Sequence, residues 1–322
     1  MSKTRVGVLR GGVGHEYDVS LSTGAGVLKT LSRDKYEPVD LLITKNGDWH
    51  VHGVPVIPGA LPKYVDVVFN ALHGEFGEDG QVQKVLDTIG IPYTGSGHYA
   101  SAVSINKTQT NAILKNKGLK VPHNISFAFD GREVDDYARE VFLKVSPPWI
   151  VKPADRGSSV GITVVKHFPD LADAIAKAFT VSDYVLVEEY IKGKEATCGV
   201  INNFRGQAQY ALPPIEIRRP GESAFWNYDD KYSGVTQEIC PGNFTAEEKK
   251  QMEDIAVMVH DYLDLRHYSR TDFILSPRGI YVLETNTLPG LTPNSTLPKA
   301  LEAVGCSYSD FLDHLIVLAL NK

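Results

Sequence analysis

The hydrophobic positions follow two periods that succeed one another along the chain. Residues 6–9 are a short apolar run ending in Gly11-Gly12, and the spacing then predicts a helix over about 18–31, with Ser20 and Ser22 near its start. Apolar runs over 38–44 and 65–71 predict strands, 81–89 a helix and 91–94 a short strand. Alternation of this kind predicts a doubly wound parallel sheet, in which ligands gather at the loops leaving the strands' C-terminal ends. Here those loops are 11–16 and 73–80.

The next stretch has a different rhythm. Helical pattern runs through Ser104 and over 107–117, strands are predicted near 125–129, 149–152, 161–165 and 185–188, and a helix over 171–179. This reads as an antiparallel α+β domain. The remainder predicts longer strands over 195–202 and 208–217, a helix over 246–263, a hairpin, and a closing helix over 309–320. The expected domains are therefore 1–97, 98–191 and 192–322, an α/β unit followed by two α+β units. Residues 220–241 are polar, rich in aromatics and without periodicity. A loop of that length in a compact domain is expected to be functional.

The hairpin carries the most telling polar pattern. Residues 270–275 read Arg-Thr-Asp-Phe-Ile-Leu and residues 281–290 read Tyr-Val-Leu-Glu-Thr-Asn-Thr-Leu-Pro-Gly, on either side of Ser276-Pro277-Arg278-Gly279. Pro at the first central position of a type I turn, with Gly for the left-handed site, predicts a three-residue loop. That loop sets Ser276 opposite Ile280 and therefore Asp272 opposite Glu284. Alternation adds Asn286 and Arg270 to the same face and leaves Phe273, Leu275, Tyr281 and Leu283 for the core. Two carboxylates and an amide beside an arginine suit a hard cation carrying phosphate oxygens. The alternative is the solvated face of an edge hairpin.

Composition narrows the class. At 322 residues, 43% apolar and 22% charged, the chain has the make-up of a soluble globular protein with a large core. A formal charge of −6 without any basic run argues against a nucleic-acid partner. Cys198, Cys240 and Cys306 lack CxxC spacing and read as thiols of a reducing compartment rather than a disulfide frame or zinc site. The N-terminus enters a strand directly, and no window approaches the ~18 apolar residues of a membrane span. A cytoplasmic enzyme with no membrane partner is expected.

Other segments offer further chemistry. Lys152 ends the apolar run Trp149-Ile150-Val151 and leads into Gly157-Ser158-Ser159-Val160-Gly161, a loop whose hydroxyls and backbone N–H groups can wrap phosphate oxygens. No GxxxxGK[ST] occurs, so this is not a Walker A loop, and a plain hairpin is the alternative. Residues 185–191 form an apolar strand ending in Glu188 and Glu189, which suits an adenine slot with a ribose acceptor, or simply a solvated strand end. Gly95-Ser96-Gly97 matches GxGxxA after a strand, but no acidic strand end follows at dinucleotide-binding distance, so a tight turn is preferred. Glu16 precedes a helix, where it can favour the dipole or hold a substrate ammonium. His73 ends a strand and as a lone histidine reads as structural.

Taken in order, these segments resemble the D-alanine–D-alanine ligase family of the ATP-grasp superfamily. The resemblance spans the chain: Gly11-Gly12, the run His15 to Ser20, Ala71-Leu72-His73-Gly74 with Gly77-Glu78-Asp79-Gly80, and the run Pro92 to Gly97. Lys107, Ile150 to Pro153, Gly157 to Gly161, Asp230-Lys231-Tyr232 and Glu284 to Gly290 complete it. It implies a three-domain ATP-grasp fold and a two-step reaction: ATP phosphorylates one D-alanine carboxylate, and the amine of a second D-alanine attacks the acyl phosphate. Carried over, Lys107 and Lys152 bind ATP phosphates with Ser158 and Ser159, and Lys231 reaches the γ-phosphate. Glu188, Glu189, Tyr190, Ile191 and Glu195 frame the adenosine, and Asp272, Glu284 and Asn286 hold two Mg²⁺ ions, with Mn²⁺ as a substitute. Arg270 and the N–H of Gly290 stabilise the tetrahedral oxyanion, Glu16 anchors the first ammonium, and Ser158 and Tyr232 join Glu16 in orienting the amine. Ser295 receives the second carboxylate, and His73 and Thr296 are further substrate-binding residues. Residues 220–241 become a lid that excludes water. The resemblance also implies a homodimer and a role in peptidoglycan precursor synthesis. Tyr232 favours D-alanine as nucleophile, and the alternative is a relative that takes D-lactate, D-serine or another second substrate.

Overall fold

The computed structural model describes residues 3–155, 157, 161–218 and 236–321. The expected sites Ser158, Ser159, Lys231 and Tyr232, and most of the expected lid, lie outside the described residues.

The first sheet contains β1 (Thr4–Gly11), β2 (Tyr36–Ile43), β3 (Trp49–Val51), β4 (Val54–Val56) and β5 (Val67–Asn70), in the order β4-β3-β2-β1-β5. β1 pairs in parallel with both β2 and β5. Val6, Val8 and Leu9 are all fully buried, so β1 is covered on both faces, as a parallel strand flanked by helices must be. Helix α1 (Tyr17–Thr30) makes the crossover from β1 to β2, and α2 (Gln81–Ile89) follows β5. The doubly wound parallel arrangement is thus present, extended at one edge by the antiparallel β3–β4 hairpin, which no sequence pattern announced. The strand expected over 91–94 is a single parallel bridge between Tyr93 and Val68. Pro92 has no N–H, so the segment cannot build a regular ladder.

The second sheet is antiparallel throughout: β6 (Asn124–Ala128), β7 (Trp149–Pro153), β8 (Thr163–Val165) and β9 (Tyr184–Glu189), in the order β6-β9-β7-β8. Two further helices, α3 (His98–Ile105) and α4 (Lys107–Asn116), precede this sheet. Within it, α5 (Val134–Lys144) and α6 (Leu171–Phe179) bury Tyr137, Val141, Leu171 and Ile175 with Trp149, Val151 and Val187.

The third sheet holds β10 (Lys194–Phe204), β11 (Gln207–Ala211), β12 (Ile215–Arg218), β13 (Gln237–Ile239), β14 (Tyr268–Ser276) and β15 (Gly279–Asn286), in the order β13-β12-β10-β14-β15, with β11 also paired to β10. The single strand expected over 208–217 is broken into β11 and β12 because Pro213 and Pro214 cannot donate to the ladder. Helix α7 (Ala246–Tyr262) starts at a capping box between Thr245 and Glu248 and packs Met252, Ala256 and Val259 under this sheet. Ala100 and Val103 of α3 and Leu114 of α4 join the same core. The last helices, α8 (Thr296–Ala303) and α9 (Tyr308–Leu320), return to the first sheet: Phe311, Leu312, Leu315 and Ile316 share a core with Val6, Val8, Val67 and Phe69. That core also takes Ile201, Ile215 and Tyr268 of the third sheet, so the first and third sheets are joined by continuous packing. Among the described residues no single helix is long and apolar enough to cross a membrane.

Candidate active site

Where the first and third sheets meet, the loops after β1 and β5 face the strands of the third sheet across a cleft of about 610 Å³. Glu16 comes from the loop after β1, and His73, Gly74 and Glu78 from the loop after β5, the expected places for ligand loops in a parallel sheet. Opposite stand Arg270 and Asp272 on β14 and Glu284 and Asn286 on β15. Lys107, Gly157, Gly290, Ser295 and Thr296 also line the cleft.

The carboxylate platform is built by a register that differs from the expected one and reaches the same pairing. The turn has two residues, with Ser276 opposite Gly279 and Leu275 opposite Ile280. The register then shifts at a bulge: Phe273 pairs with Val282, yet Asp272 pairs with Glu284, so Leu283 is the extra residue. Val282 and Glu284 are two apart and would share a face in a regular strand. The bulge puts Val282 in the core with Phe273 and Ile280 and turns Glu284 to the cleft beside Asp272. The expected sharing of one face by Phe273, Leu275, Tyr281 and Leu283 is corrected accordingly: Ile280 and Val282 stand with Leu275 and Phe273, Leu283 is half-buried, and Tyr281, itself buried, pairs with Ile274 on the opposite face.

Asp272 is held from three sides. Arg270 donates to it through Nε and Nη2, both at 2.9 Å, the Thr197 hydroxyl donates at 2.6 Å, and the Asn286 amide donates at 3.4 Å. Burial opposes the Arg270 charge, but the Asp272 carboxylate, its hydrogen bonds and the nearby Glu284 and Glu78 outweigh it, holding the guanidinium above its ordinary pKa. Arg270 therefore stays a fixed cation in the cleft. Lys107 Nζ lies 3.3 Å from Glu284 Oε2. Asp272, Glu284 and Asn286 offer oxygen donors only, which fits Mg²⁺ by donor chemistry. No group of three or more His, Cys, Asp or Glu side chains is gathered for a metal among the described residues.

The opposite wall is equally specific. The positive φ of Gly74 (+66°) favours glycine there, and a Cβ on it would lie 2.4 Å from Glu16 Oε2, so the loop after β5 passes directly against that carboxylate. His73 is buried with both ring nitrogens engaged: Nδ1 donates to the Leu288 carbonyl at 3.1 Å and Nε2 meets the Thr23 hydroxyl at 2.8 Å. It ties the segment after β15 to the first sheet. Ser295 is the residue before α8, yet its hydroxyl makes no capping bond and lies 2.8 Å from the Thr292 hydroxyl. The first N–H groups of α8 are thus free of a side-chain cap from Ser295, a setting that receives carboxylates.

The expected site residues divide into two groups. Glu16, His73, Lys107, Glu195, Arg270, Asp272, Glu284, Asn286, Gly290, Ser295 and Thr296 share the cleft. Lys152, Glu188, Glu189, Tyr190 and Ile191 do not line it. Lys152 and Glu188 form a buried ion pair at 2.7 Å, and Asn111 donates to the other Glu188 oxygen at 3.1 Å. Glu189 accepts from Arg278 at 2.8 Å and from the His123 N–H at 3.1 Å. Tyr190 donates its N–H to the Pro148 carbonyl, and Ile191 is buried. Thr197, Glu78 and Glu238 line the cleft as well. Glu78 belongs to the segment Gly77-Glu78-Asp79-Gly80, whereas Thr197 meets Asp272 only through the pairing of β10 with β14, which no local spacing reveals.

A parallel-sheet unit followed by two antiparallel sheets, with a lysine–carboxylate cleft beside the last, defines an ATP-grasp ligase. The comparisons agree. Residues 5–56 and 56–96 match the family model for the D-Ala D-Ala ligase N-terminus, and residues 113–317 match that for its C-terminus. A D-alanine–D-alanine ligase of Christiangramia forsetii is 35% identical over 332 aligned residues, covering 99% of each chain. Among solved structures, the VanG D-Ala:D-Ser ligase of Enterococcus faecalis superposes with a TM-score of 0.88 at 29% identity, covering 99% of this chain and 100% of that one. The D-alanine–D-alanine ligase of Bacillus anthracis, solved with ATP, gives 0.81 at 31% identity, covering 99% and 98%. The chain belongs to the D-alanine–D-alanine ligase family.

Proposed function

We propose that the chain joins two D-alanine molecules at the expense of ATP, forming D-alanyl-D-alanine, ADP and phosphate for peptidoglycan precursor synthesis. The observation that supports this reading is one cleft lined together by a carboxylate (Glu16), a fixed cation (Arg270) and a helix start without a side-chain cap (Ser295). A nucleotide-binding protein without peptide-bond chemistry has no use for that combination.

In this reading Glu16 holds the donor ammonium, and its carboxylate lies toward Lys107 and the Asp272–Glu284 platform. Lys107, Lys152 and Lys231 bind ATP phosphates, with Ser158 and Ser159 adding hydroxyls; Glu188, Glu189, Tyr190, Ile191 and Glu195 frame the adenosine. Asp272, Glu284 and Asn286 would hold Mg²⁺, which supplies charge neutralisation for phosphoryl transfer. The donor carboxylate attacks the γ-phosphorus, ADP leaves, and an acyl phosphate remains. The acceptor, its carboxylate at the start of α8 beside Ser295 and Thr296, attacks the acyl carbon through its amine. Arg270 and the Gly290 N–H stabilise the oxyanion, and Arg270 keeps its proton because Asp272 holds the charged form. Ser158 and Tyr232 join Glu16 in orienting the amine, and phosphate departs. His73 positions the Leu288 carbonyl and so the approach to Gly290. The domain limits 1–97, 98–191 and 192–322, a lid over 220–241, a homodimer and a cytoplasmic location belong to the same reading.

The test is phosphate release by the purified chain with ATP, Mg²⁺ and D-alanine, with mass detection of the dipeptide. Turnover should require both D-alanine and the metal and cease with a chelator. Phosphate release indifferent to D-alanine, or a product other than the dipeptide, would refute it.

A further inference from the structure

We propose that the ion pair between Glu238 and Lys299 is a positioning pair for the acceptor substrate: it holds the start of α8, which receives the acceptor carboxylate, against β13 at the cleft wall. This rests on the acceptor site read above from Ser295 and Thr296.

Helix α8 has eight residues, too short to be stable by its own propensity, so its contacts decide where its N-terminus points. One face is fixed by apolar packing: Leu297, Ala300 and Leu301 are buried with Ile215 of β12. Lys299 lies on the turn below Ser295 and Thr296, four and three residues on respectively, and therefore on their side of the helix. Its ammonium is 2.7 Å from Glu238 Oε2, with the two side chains 37% and 25% exposed. Glu238 sits in the middle of β13 and lines the cleft, and Cys240 Sγ approaches the Lys299 carbonyl at 3.7 Å. β13 pairs with β12, Glu238 opposite Ile217, and β12 pairs with β10 next to Thr197. The pair thus couples the acceptor end of the cleft, through two strand pairings, to the strand that steadies Asp272.

Two roles for the pair make opposite predictions. Were Glu238 only a charge near the acceptor, removing it would leave Lys299 to attract the acceptor carboxylate, and binding would tighten. If it positions α8, removing it loosens the helix start, and binding weakens.

The experiment is steady-state kinetics with the D-alanine dependence resolved into donor and acceptor KM. Glu238→Gln should raise the acceptor KM about three- to fivefold, as for a partly exposed ion pair, with donor and ATP KM unchanged. Lys299→Met should match it, Lys299→Arg should remain at the wild-type value, and the double variant Glu238→Gln/Lys299→Met should be no worse than either single one. An acceptor KM that falls or stays constant in Glu238→Gln, or KM values that all rise together, would overturn the proposal. Ser295→Ala separates the two readings. If it raises the acceptor KM while Glu238→Gln does not, only the positioning role fails; if it leaves that KM unchanged, the acceptor site itself is wrong and the proposal falls with it.

Discussion

The hydroxyl of Thr197 is the sharpest place to test whether Asp272 works as part of the reacting platform. It donates to Asp272 Oδ1 at 2.6 Å from a buried position on β10, and its residue pairs with Asp272 across the strands. Thr197→Val keeps the shape and the β-branched strand preference and deletes only that donor. A hydrogen bond to a charged group contributes about 1.5–3 kcal/mol, and Arg270 still grips both carboxylate oxygens, which places this case at the low end. If the loss falls on the transition state, kcat should drop roughly tenfold, since about 1.4 kcal/mol is one decade in rate. The melting temperature should move by only about 2–4 °C. Thr197→Ser, which retains the hydroxyl, should recover most of the rate. Phosphate release at saturating ATP and D-alanine measures all three. A valine variant within twofold of wild type, with the serine variant no different, would show that the orientation of Asp272 does not limit turnover.

Two further outcomes follow from buried groups. His260 is fully buried against Ser269 and Asn202, and burial lowers its pKa from 6.5 to about 4. Protonation then favours the unfolded chain, so its stability is complete above pH 6.5 and is lost as pH falls towards about 4. That gap, at about 1.4 kcal/mol per pH unit, makes roughly 3 kcal/mol; denaturant titrations between pH 7 and 4 should show it, and His260→Gln should flatten it. Equal pH slopes in the two proteins would refute the assignment. Lys152→Met should destabilise the fold by about 3–5 kcal/mol, because it leaves Glu188 as a buried carboxylate without its cation. Adding Glu188→Gln should restore stability while the KM for ATP remains at least about tenfold raised; a wild-type KM in the stable double variant would remove both residues from the nucleotide site.

How much could be read in advance depended on whether a feature was local. The helices over 81–89 and 171–179 carry strong period, the first stopping at Gly90, and the apolar strand that holds Lys152 stops at Pro153. The helix over 134–144 carried the same signal, with Val134, Tyr137, Ala138 and Val141 at helical spacing, and could have been found. The β3–β4 hairpin turns at His52 and Gly53, both with positive φ, where a histidine stands in place of the Asn or Asp that usually announces such a turn. Contacts between distant elements, such as Thr197 with Asp272 and Lys152 with Glu188 across strands and Lys299 of α8 with Glu238 of β13, depend on sheet order and helix docking, and no spacing along the chain encodes either.

The hairpin shows why a correct pairing is weaker support than it looks. Asp272 does stand opposite Glu284, but a turn one residue shorter than expected is compensated by one extra residue at Leu283. Without the bulge, the shorter turn would set Asp272 opposite Leu283 and turn Glu284 to the other face. Val282 and Glu284 would also have to share one face, although one belongs to the core and the other to the cleft. The bulge resolves that conflict within a single strand. The platform therefore depends on Leu283 being supernumerary as much as on the two acids, and a strand with its carboxylates intact but its bulge removed would lose the site.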